Sequence, residues 1–338
     1  HAVADQPAAN QRKLHMLRVR HICLNVEKTP IADRLKGIVD QIENDLLKLA
    51  AARPTAINLR WAIDQLRLLV ARLDADTDPA PALLEAALTL GAKKLKLLFL
   101  GGTGFIGPHQ INHALARGHE VTMFNRGSKP NMYGDRVEEL IGNRDDNVDD
   151  GLKALEGDRT WDVVIDNSGY VTRHVRDSVE LLKDRCRRYI FISTVAAYDF
   201  SEPGVKPEDA KLDSMGANDS EEVTWETYGP LKGDCDTLVR EVMGDRATVV
   251  RPTYIIGPGD HTDRFTWWAY RAHQGGDMVG PAHPEVTVSG VDARDMCPWI
   301  VTLAENDTPG AFNAAGPAYT RAGFLWAIRG SFGGELTI

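Results

Sequence analysis

Tyr228 and Lys232 stand four residues apart in Tyr228-Gly229-Pro230-Leu231-Lys232, a spacing that puts both on one face of a helix. An ammonium beside a phenol favours the phenolate and would draw the tyrosine down from its ordinary pKa of about 10 toward neutral pH. A tyrosine so poised passes a proton to or from a substrate hydroxyl or carbonyl. Taken alone, the pair reads equally well as an exposed helix face. Its setting changes that. Earlier in the chain, Tyr189-Ile190-Phe191-Ile192 runs as an apolar strand into two hydroxyl residues, Ser193 and Thr194. A hydroxyl at such a strand end is placed to bond the oxygen that reacts beside the tyrosine.

A second constellation is Gly101-Gly102-Thr103-Gly104-Phe105-Ile106-Gly107. It lies between an apolar run, residues 95–100, and a helical pattern that opens at Pro108. Strand, glycine turn and helix start in that order form a dinucleotide-binding turn. Gly101 suits the sharp bend, Gly104 allows a pyrophosphate to approach the backbone, and Gly107 allows the helix to pack closely. The first free N–H groups of the helix then point at the phosphates.

The elements that must hold these residues follow from periodicity. Strands are expected at 95–100, 120–124, 137–141, 162–166, 188–193 and 247–251. Several are continuous apolar runs, as strands buried on both faces should be. Helices are expected at 105–118, 170–184, 225–243, 263–275 and 293–304. The alternation predicts an α/β fold, a Rossmann-type doubly wound parallel sheet. Residues 202–222 form a polar loop long enough to cover a site. Three regions result: a helical N-terminal extension (1–94), a nucleotide-binding domain (95–256) and a small substrate lobe (257–338), interleaved with that domain and expected to be curtailed.

With these marks in place, the chain from residue 95 onward resembles the extended or atypical short-chain dehydrogenases/reductases, the epimerase/dehydratase-like group. The resemblance rests on the glycine turn, Asp166-Asn167-Ser168-Gly169, Ser193-Thr194, Tyr228/Lys232 and Arg251-Pro252-Thr253-Tyr254. It implies that Tyr228 is the acid/base and that Lys232 lowers its pKa and holds the nicotinamide ribose. In members like UDP-galactose 4-epimerase the catalytic hydroxyl stands four residues before a tyrosine. Tyr198 then selects Thr194, with Ser193 as second choice. Gly101, Gly102, Thr103, Gly104, Phe105, Ile106 and Gly107 would hold the cofactor phosphates, and Asn167, Ser168, Gly169 and Pro252 would line the cofactor.

Departures from the family pattern carry their own expectations. NAD-binding members usually end the second strand on an Asp that takes the adenosine ribose hydroxyls, whereas this chain has Asn125-Arg126. A guanidinium in place of a carboxylate favours a 2′-phosphate, so NADP is expected over NAD. Asn143 replaces an Asp that often contacts adenine. Val195-Ala196 stand where sugar-nucleotide dehydratases carry Asp-Glu, which argues against dehydration. Tyr254 replaces an Asn that often holds a diphosphate, which weakens a UDP-sugar substrate. The expected reaction is hydride exchange at a hydroxyl or carbonyl of a small, sugar-like molecule, as net oxidoreduction or epimerisation. A cofactor-holding protein without catalysis, or an RNA-binding scaffold of the same fold, is the rival.

Other residues read more plainly. His109 and His113 lack an acidic third ligand, so no metal is expected. Trp267-Trp268 suits a stacking contact or a core contact, and Arg264 or Arg294 suits an anion or a surface ion pair. In the extension, residues 31–53 and 55–73 are amphipathic helices broken by Pro54. On the motif Arg53 to Ala62, a stretch of about residues 40–90 resembles a fragment of methylthioribose-1-phosphate isomerases, in which the arginine matched by Arg53 helps hold the sugar phosphate. The family's later catalytic segments have no match here. The extension therefore reads as a packing or association module, which admits a homo-oligomer. The chain of 338 residues has a net charge of −9. Residues up to 94 are slightly basic, so the acidic excess falls on the rest, and no nucleic acid is expected as a partner. Four scattered cysteines suit reduced thiols in a cytoplasmic protein. Neither a signal peptide nor a membrane span is expected.

Overall fold

The chain divides at Gly91–Ala92 into two units. The computed structural model describes residues 94–202, 204–332 and 336–337, all in the second unit. The expected N-terminal helices, Arg53 and Cys23 lie outside the described residues.

The strands and helices occur in the order β1 (Lys96–Leu100), α1 (Ile106–Ala116), β2 (Glu120–Asn125), β3 (Val137–Ile141), β4 (Trp161–Asp166), α2 (Thr172–Leu182), β5 (Cys186–Ile192) and α3 (Tyr228–Met243). They continue with β6 (Ala247–Pro252), β7 (Tyr254–Ile256), α4 (Thr266–Gln274), β8 (Gly276–Asp277), β9 (Thr287–Asp292) and α5 (Ala293–Glu305). The last are β10 (Gly310–Ala314), β11 (Ala318–Thr320), α6 (Arg321–Phe332) and β12 (Leu336–Thr337). Seven strands form one sheet in the order β10-β6-β5-β4-β1-β2-β3, parallel throughout. The chain winds outward from β1 in one direction and from β4 in the other. The crevice beyond the carboxyl ends of β1 and β4 is the switch point where such sheets bind ligands.

Leu97 through Leu100 are withdrawn completely from solvent, because helices cover both faces of the sheet. Side chains alternate across it. Leu97, Phe99 and Ile165 pack with Ile111 of α1 and Ile300 of α5. Leu98, Leu100 and Val164 pack on the other face with Val175 of α2 and Val239 of α3. Each such fully buried aliphatic side chain contributes about 1.5–3 kcal/mol. These two apolar layers hold the strand ends, and therefore the site, in register.

The C-terminal third divides between the two halves. β10 pairs with β6 as the seventh strand, and α5 shares the core face of α1, so much of residues 293–314 belongs to the nucleotide-binding half. A separate three-stranded sheet, β11-β9-β7, and a small core of Ala272, Met278, Leu325 and Ile328 make up the rest. Cys186, Cys235 and Cys297 are buried free thiols. Among the described residues no helix is long and apolar enough to cross a membrane.

Candidate active site

The glycine turn leaves β1 with Gly101 at φ +83°, a conformation that favours glycine. Asn167 clamps the turn: its N–H donates to Leu100 O at 3.0 Å, and its Nδ2 donates to Gly101 O at 3.1 Å and Gln110 Oε1 at 2.6 Å. A Cβ on Gly107 would lie 2.5 Å from the Gly102 carbonyl, so only glycine lets α1 start this close to the turn. Phe105 precedes α1 without capping it, and no acidic residue occupies its first turn. The first N–H groups of α1 are left for an anion. Gly104 borders open space, with nothing within 4 Å of where a Cβ would stand. The buried Asn167 Oδ1 and Gln110 Nε2 lack partners among the described residues. An open cradle, unused N–H groups and unsatisfied amide atoms fit a dinucleotide held along Gly101–Gly107.

At the end of β2, Asn125 is spoken for. Its Nδ2 donates to Glu139 Oε1 at 2.7 Å and its Oδ1 accepts from Gly127 N–H at 2.5 Å. Arg126 is exposed, and Lys129 Nζ donates to Thr103 O at 3.3 Å, so the rim beside the turn carries two cations. Asn143 Oδ1 accepts from Asp145 N–H at 3.0 Å. The neighbouring Arg144, which sequence reasoning passed over, turns inward. It donates to both oxygens of Asp166 at 2.6 and 3.0 Å and to Ser168 Oγ at 3.3 Å. Tyr189 adds a bond to Asp166 at 2.7 Å. Burial alone would raise the Asp166 carboxyl, but the Arg144 guanidinium overrides it and holds the group below its ordinary value. No spacing rule finds this pair, because Arg144 lies in the loop after β3 and Asp166 at the end of β4.

Lys232 is buried one helical turn inside α3. Its Nζ donates to Gly169 O at 2.6 Å and Ile192 O at 2.7 Å, tying the ends of β4 and β5, and it lies 4.2 Å from the Phe191 ring centre. Burial pushes its pKa down to about 8. Thr194 is buried and accepts from Ala196 N–H at 3.1 Å. Ser193 is buried beside it, and its Oγ has no partner among the described residues. Pro252 ends β6 inside the sheet.

Tyr228 opens α3. The expected lowering of its pKa is not found: burial raises it, opposed by the Thr194 hydroxyl and then by the Arg264 guanidinium. Lys232 is occupied with two carbonyls instead. The structure therefore sets the Thr194 hydroxyl to oppose the rise at Tyr228 and routes Lys232 to the carbonyls of Gly169 and Ile192. Tyr170, absent from the sequence expectation, completes the wall. Its ring centre is 6.4 Å from that of Tyr228 and 5.2 Å from Lys232 Nζ. Its position directly after Gly169 was the available signal. Tyr198, used above only as a spacing mark, is structural: it donates to Asn313 Oδ1 and accepts from the buried Arg251, which also bonds Asp236 of α3. Trp268 packs against the small core around Leu325, while Trp267 is half exposed.

The chain is 24% identical over 240 residues to the chloroplast stem-loop binding protein of 41 kDa b from Arabidopsis thaliana, covering 66% of this chain and 59% of that protein. It therefore spans less than two thirds of that relative's length. Over 86 residues it is 37% identical to methylthioribose-1-phosphate isomerase from Methylococcus capsulatus, covering 23% of this chain and 24% of the isomerase. Among solved structures, a protein of Burkholderia cenocepacia whose structure is titled a putative epimerase matches with a TM-score of 0.57 at 19% identity, covering 72% of this chain and 83% of that one. The enzyme WbmG of Bordetella bronchiseptica, solved with NAD and UDP, matches with a TM-score of 0.57 at 15% identity over 73% and 81%. These structures share the fold. Residues 97–315, from the first strand of the glycine turn to the end of the seven-stranded sheet, match the family model for NAD dependent epimerases/dehydratases, and the chain belongs to that family.

Proposed function

We propose that the chain is a nicotinamide-dependent oxidoreductase or epimerase acting on a hydroxyl or carbonyl of a small, sugar-like substrate. The observation that carries this reading is Tyr228 beside the Thr194 hydroxyl at the carboxyl edge of the sheet, one helical turn ahead of Lys232. Gly101–Gly107, Ser168–Gly169 and Pro252 would hold the cofactor, which when bound supplies or takes up hydride. Thr194 bonds the reacting oxygen and orients it toward the Tyr228 hydroxyl. Tyr228 gives a proton to that oxygen when a carbonyl is reduced and removes it when a carbinol is oxidised. Burial raises Tyr228 above the ordinary tyrosine value, so at neutral pH it stands as the phenol, the form that donates. Lys232 fixes the Gly169 and Ile192 carbonyls and so the floor on which the nicotinamide end would rest.

Tyr228→Phe tests this reading. Turnover should fall roughly a hundredfold to ten-thousandfold while cofactor affinity holds, measured by fluorescence titration. Unchanged turnover would remove Tyr228 from the mechanism.

NADP is the preferred cofactor in this reading. Arg126 and Lys129 border the turn, and Asn125 offers no carboxylate to ribose hydroxyls. NADPH should bind about tenfold tighter than NADH, a difference of about 1.4 kcal/mol. Equal or reversed affinities would sink the Arg126 argument. The stem-loop binding relative brings a second reading, RNA binding by the same fold. The net charge of −9 weighs against it, since phosphate backbones call for a basic surface.

A further inference from the structure

Arg173, the second residue of α2, holds one carboxylate from each of two loops. Its Nε and Nη2 donate to the two oxygens of Glu221, both at 2.8 Å. Its Nη1 and Nη2 donate to those of Asp145 at 2.9 and 3.3 Å. A planar guanidinium suits such paired bonds. His174 joins the cluster, its Nε2 lying 3.0 Å from Arg173 Nη2 and 3.4 Å from Asp145 Oδ2. Asp177 stands 4.0 Å from the guanidinium at its edge. The bonds from Arg173 hold the Asp145 and Glu221 carboxyls below their ordinary values, so both arms are charged at neutral pH.

The Glu221 arm leads to the proton-transfer phenol. From Glu222 to Tyr228 the chain bonds to itself. The Thr227 hydroxyl donates to Glu222 O at 2.5 Å. Thr224 N–H donates to Thr227 Oγ1 at 2.8 Å, and Thr227 N–H donates back to Thr224 Oγ1 at 3.3 Å. Tyr228 N–H donates to Thr224 O at 3.0 Å. Apolar burial does not fix this segment, because its large apolar residues, Val223 and Trp225, are exposed. Among the described residues, every other hydrogen bond of residues 216–227 stays within 214–231. Arg173 is therefore the polar tie between this segment and α2. Beyond Tyr228, a Cβ on Gly229 would stand 2.5 Å from the Ala196 carbonyl, so α3 starts hard against the turn that follows Thr194. The phenol thus sits between a close-packed turn and a clamped segment.

We infer that Arg173 is a positioning residue for Tyr228: by gripping Glu221 it fixes the segment that leads into the phenol, and so where the phenol meets a substrate oxygen beside Thr194. This assignment rests on the oxidoreductase or epimerase reading above. The Asp145 arm braces the clamp against the loop after β3, where Asn143 Oδ1 accepts the Asp145 N–H at 3.0 Å. Partly exposed pairs of this kind add little to global stability. The clamp serves placement, and a misplacement of about 1 Å costs a reaction up to about a hundredfold in rate.

Fluorine NMR of the full chain labelled with 3-fluorotyrosine tests the assignment, with the Tyr228 resonance identified by its loss in Tyr228→Phe. Arg173→Gln and Glu221→Gln remove opposite charges but release the same segment. Both should move the Tyr228 resonance in the same direction, and the double variant should move it no further. Asp177→Asn should leave it in place. Turnover at saturating cofactor should fall about tenfold in Arg173→Gln and in Glu221→Gln. Shifts of opposite sign would report only the charge removed, and an unmoved resonance would leave the phenol independent of the clamp. Equal displacement of all eight tyrosine resonances would make Arg173 a prop of the whole fold. Each of these overturns the assignment, as does an equal shift in Asp177→Asn or full turnover in either clamp variant of an active protein. A native chain without turnover would count against the proposed function alone, because the resonance is read without substrate.

Discussion

Lys232 carries two opposed pH dependences in one side chain. With its pKa brought down to about 8 by burial, the folded chain sheds this proton while the unfolded chain keeps it up to the ordinary lysine value near 10.4. Between those values the unfolded state binds more protons, so Lys232's share of folding stability rises with pH. Its bonds to Gly169 and Ile192, by contrast, are strongest while it is an ammonium. Cofactor affinity should therefore weaken as pH rises through about 8 even as the fold resists denaturant better. Dissociation constants measured from roughly pH 6.5 to 9.5 would show an inflection near 8 in the native protein. In Lys232→Arg, whose guanidinium keeps its proton, the inflection should disappear. If it persists there, another group titrates. The sequence disclosed this lysine and its tyrosine through their spacing, but not which partners each would choose. Side-chain spacing on one helix says nothing of carbonyls at the ends of β4 and β5.

Between elements, the same limit on reading a sequence recurs with a physical cause. Most of the strands from β1 to β6 were legible because they carry apolar runs buried on both faces, as in β1, β4 and β5, while the edge strand β3, Val137-Glu138-Glu139-Leu140-Ile141, is only partly buried. β10 was not legible: Gly310-Ala311-Phe312-Asn313-Ala314 has little strand propensity, and its place is set by pairing with β6. β7 and β11 are three residues each, too short to show a period. The Arg144–Asp166 clamp is likewise a property of elements brought together, joining the loop after β3 to the end of β4 and to the His174 carbonyl of α2. Its prediction follows from burial. Asp166 is wholly withdrawn from water, so Arg144→Met would strand a charge and cost about 3–5 kcal/mol, read by denaturant unfolding. Asp166→Asn in the same background should restore part of the loss, because the buried charge goes with it. A single-variant cost under about 1 kcal/mol, in the range of exposed pairs, would show that water reaches Asp166 and that the clamp does not organise the crevice.

For the whole molecule, the decisive property is that the fold reserves space it does not need. Gly101 and Gly107 are demanded by the backbone itself, one by its positive φ and the other by the Gly102 carbonyl. Gly104 is demanded by neither: its φ is not in the left-handed region and a side chain there would meet nothing within 4 Å. Its glycine makes sense only if something else occupies that space, and this separates folding from binding in one position. Gly104→Leu should leave the unliganded melting temperature within about 1 °C of the native protein, as expected for a surface change of well under 1 kcal/mol. A cofactor present at a hundred times its dissociation constant stabilises the native chain by about 2.7 kcal/mol, a rise of several degrees for a domain of this size. In Gly104→Leu that rise should vanish for both NADPH and NADH, since the leucine fills the cradle whatever the ribose carries. A rise that survives the substitution would place the dinucleotide away from the turn, and the family's glycine signature would then serve only the packing of α1 on the sheet.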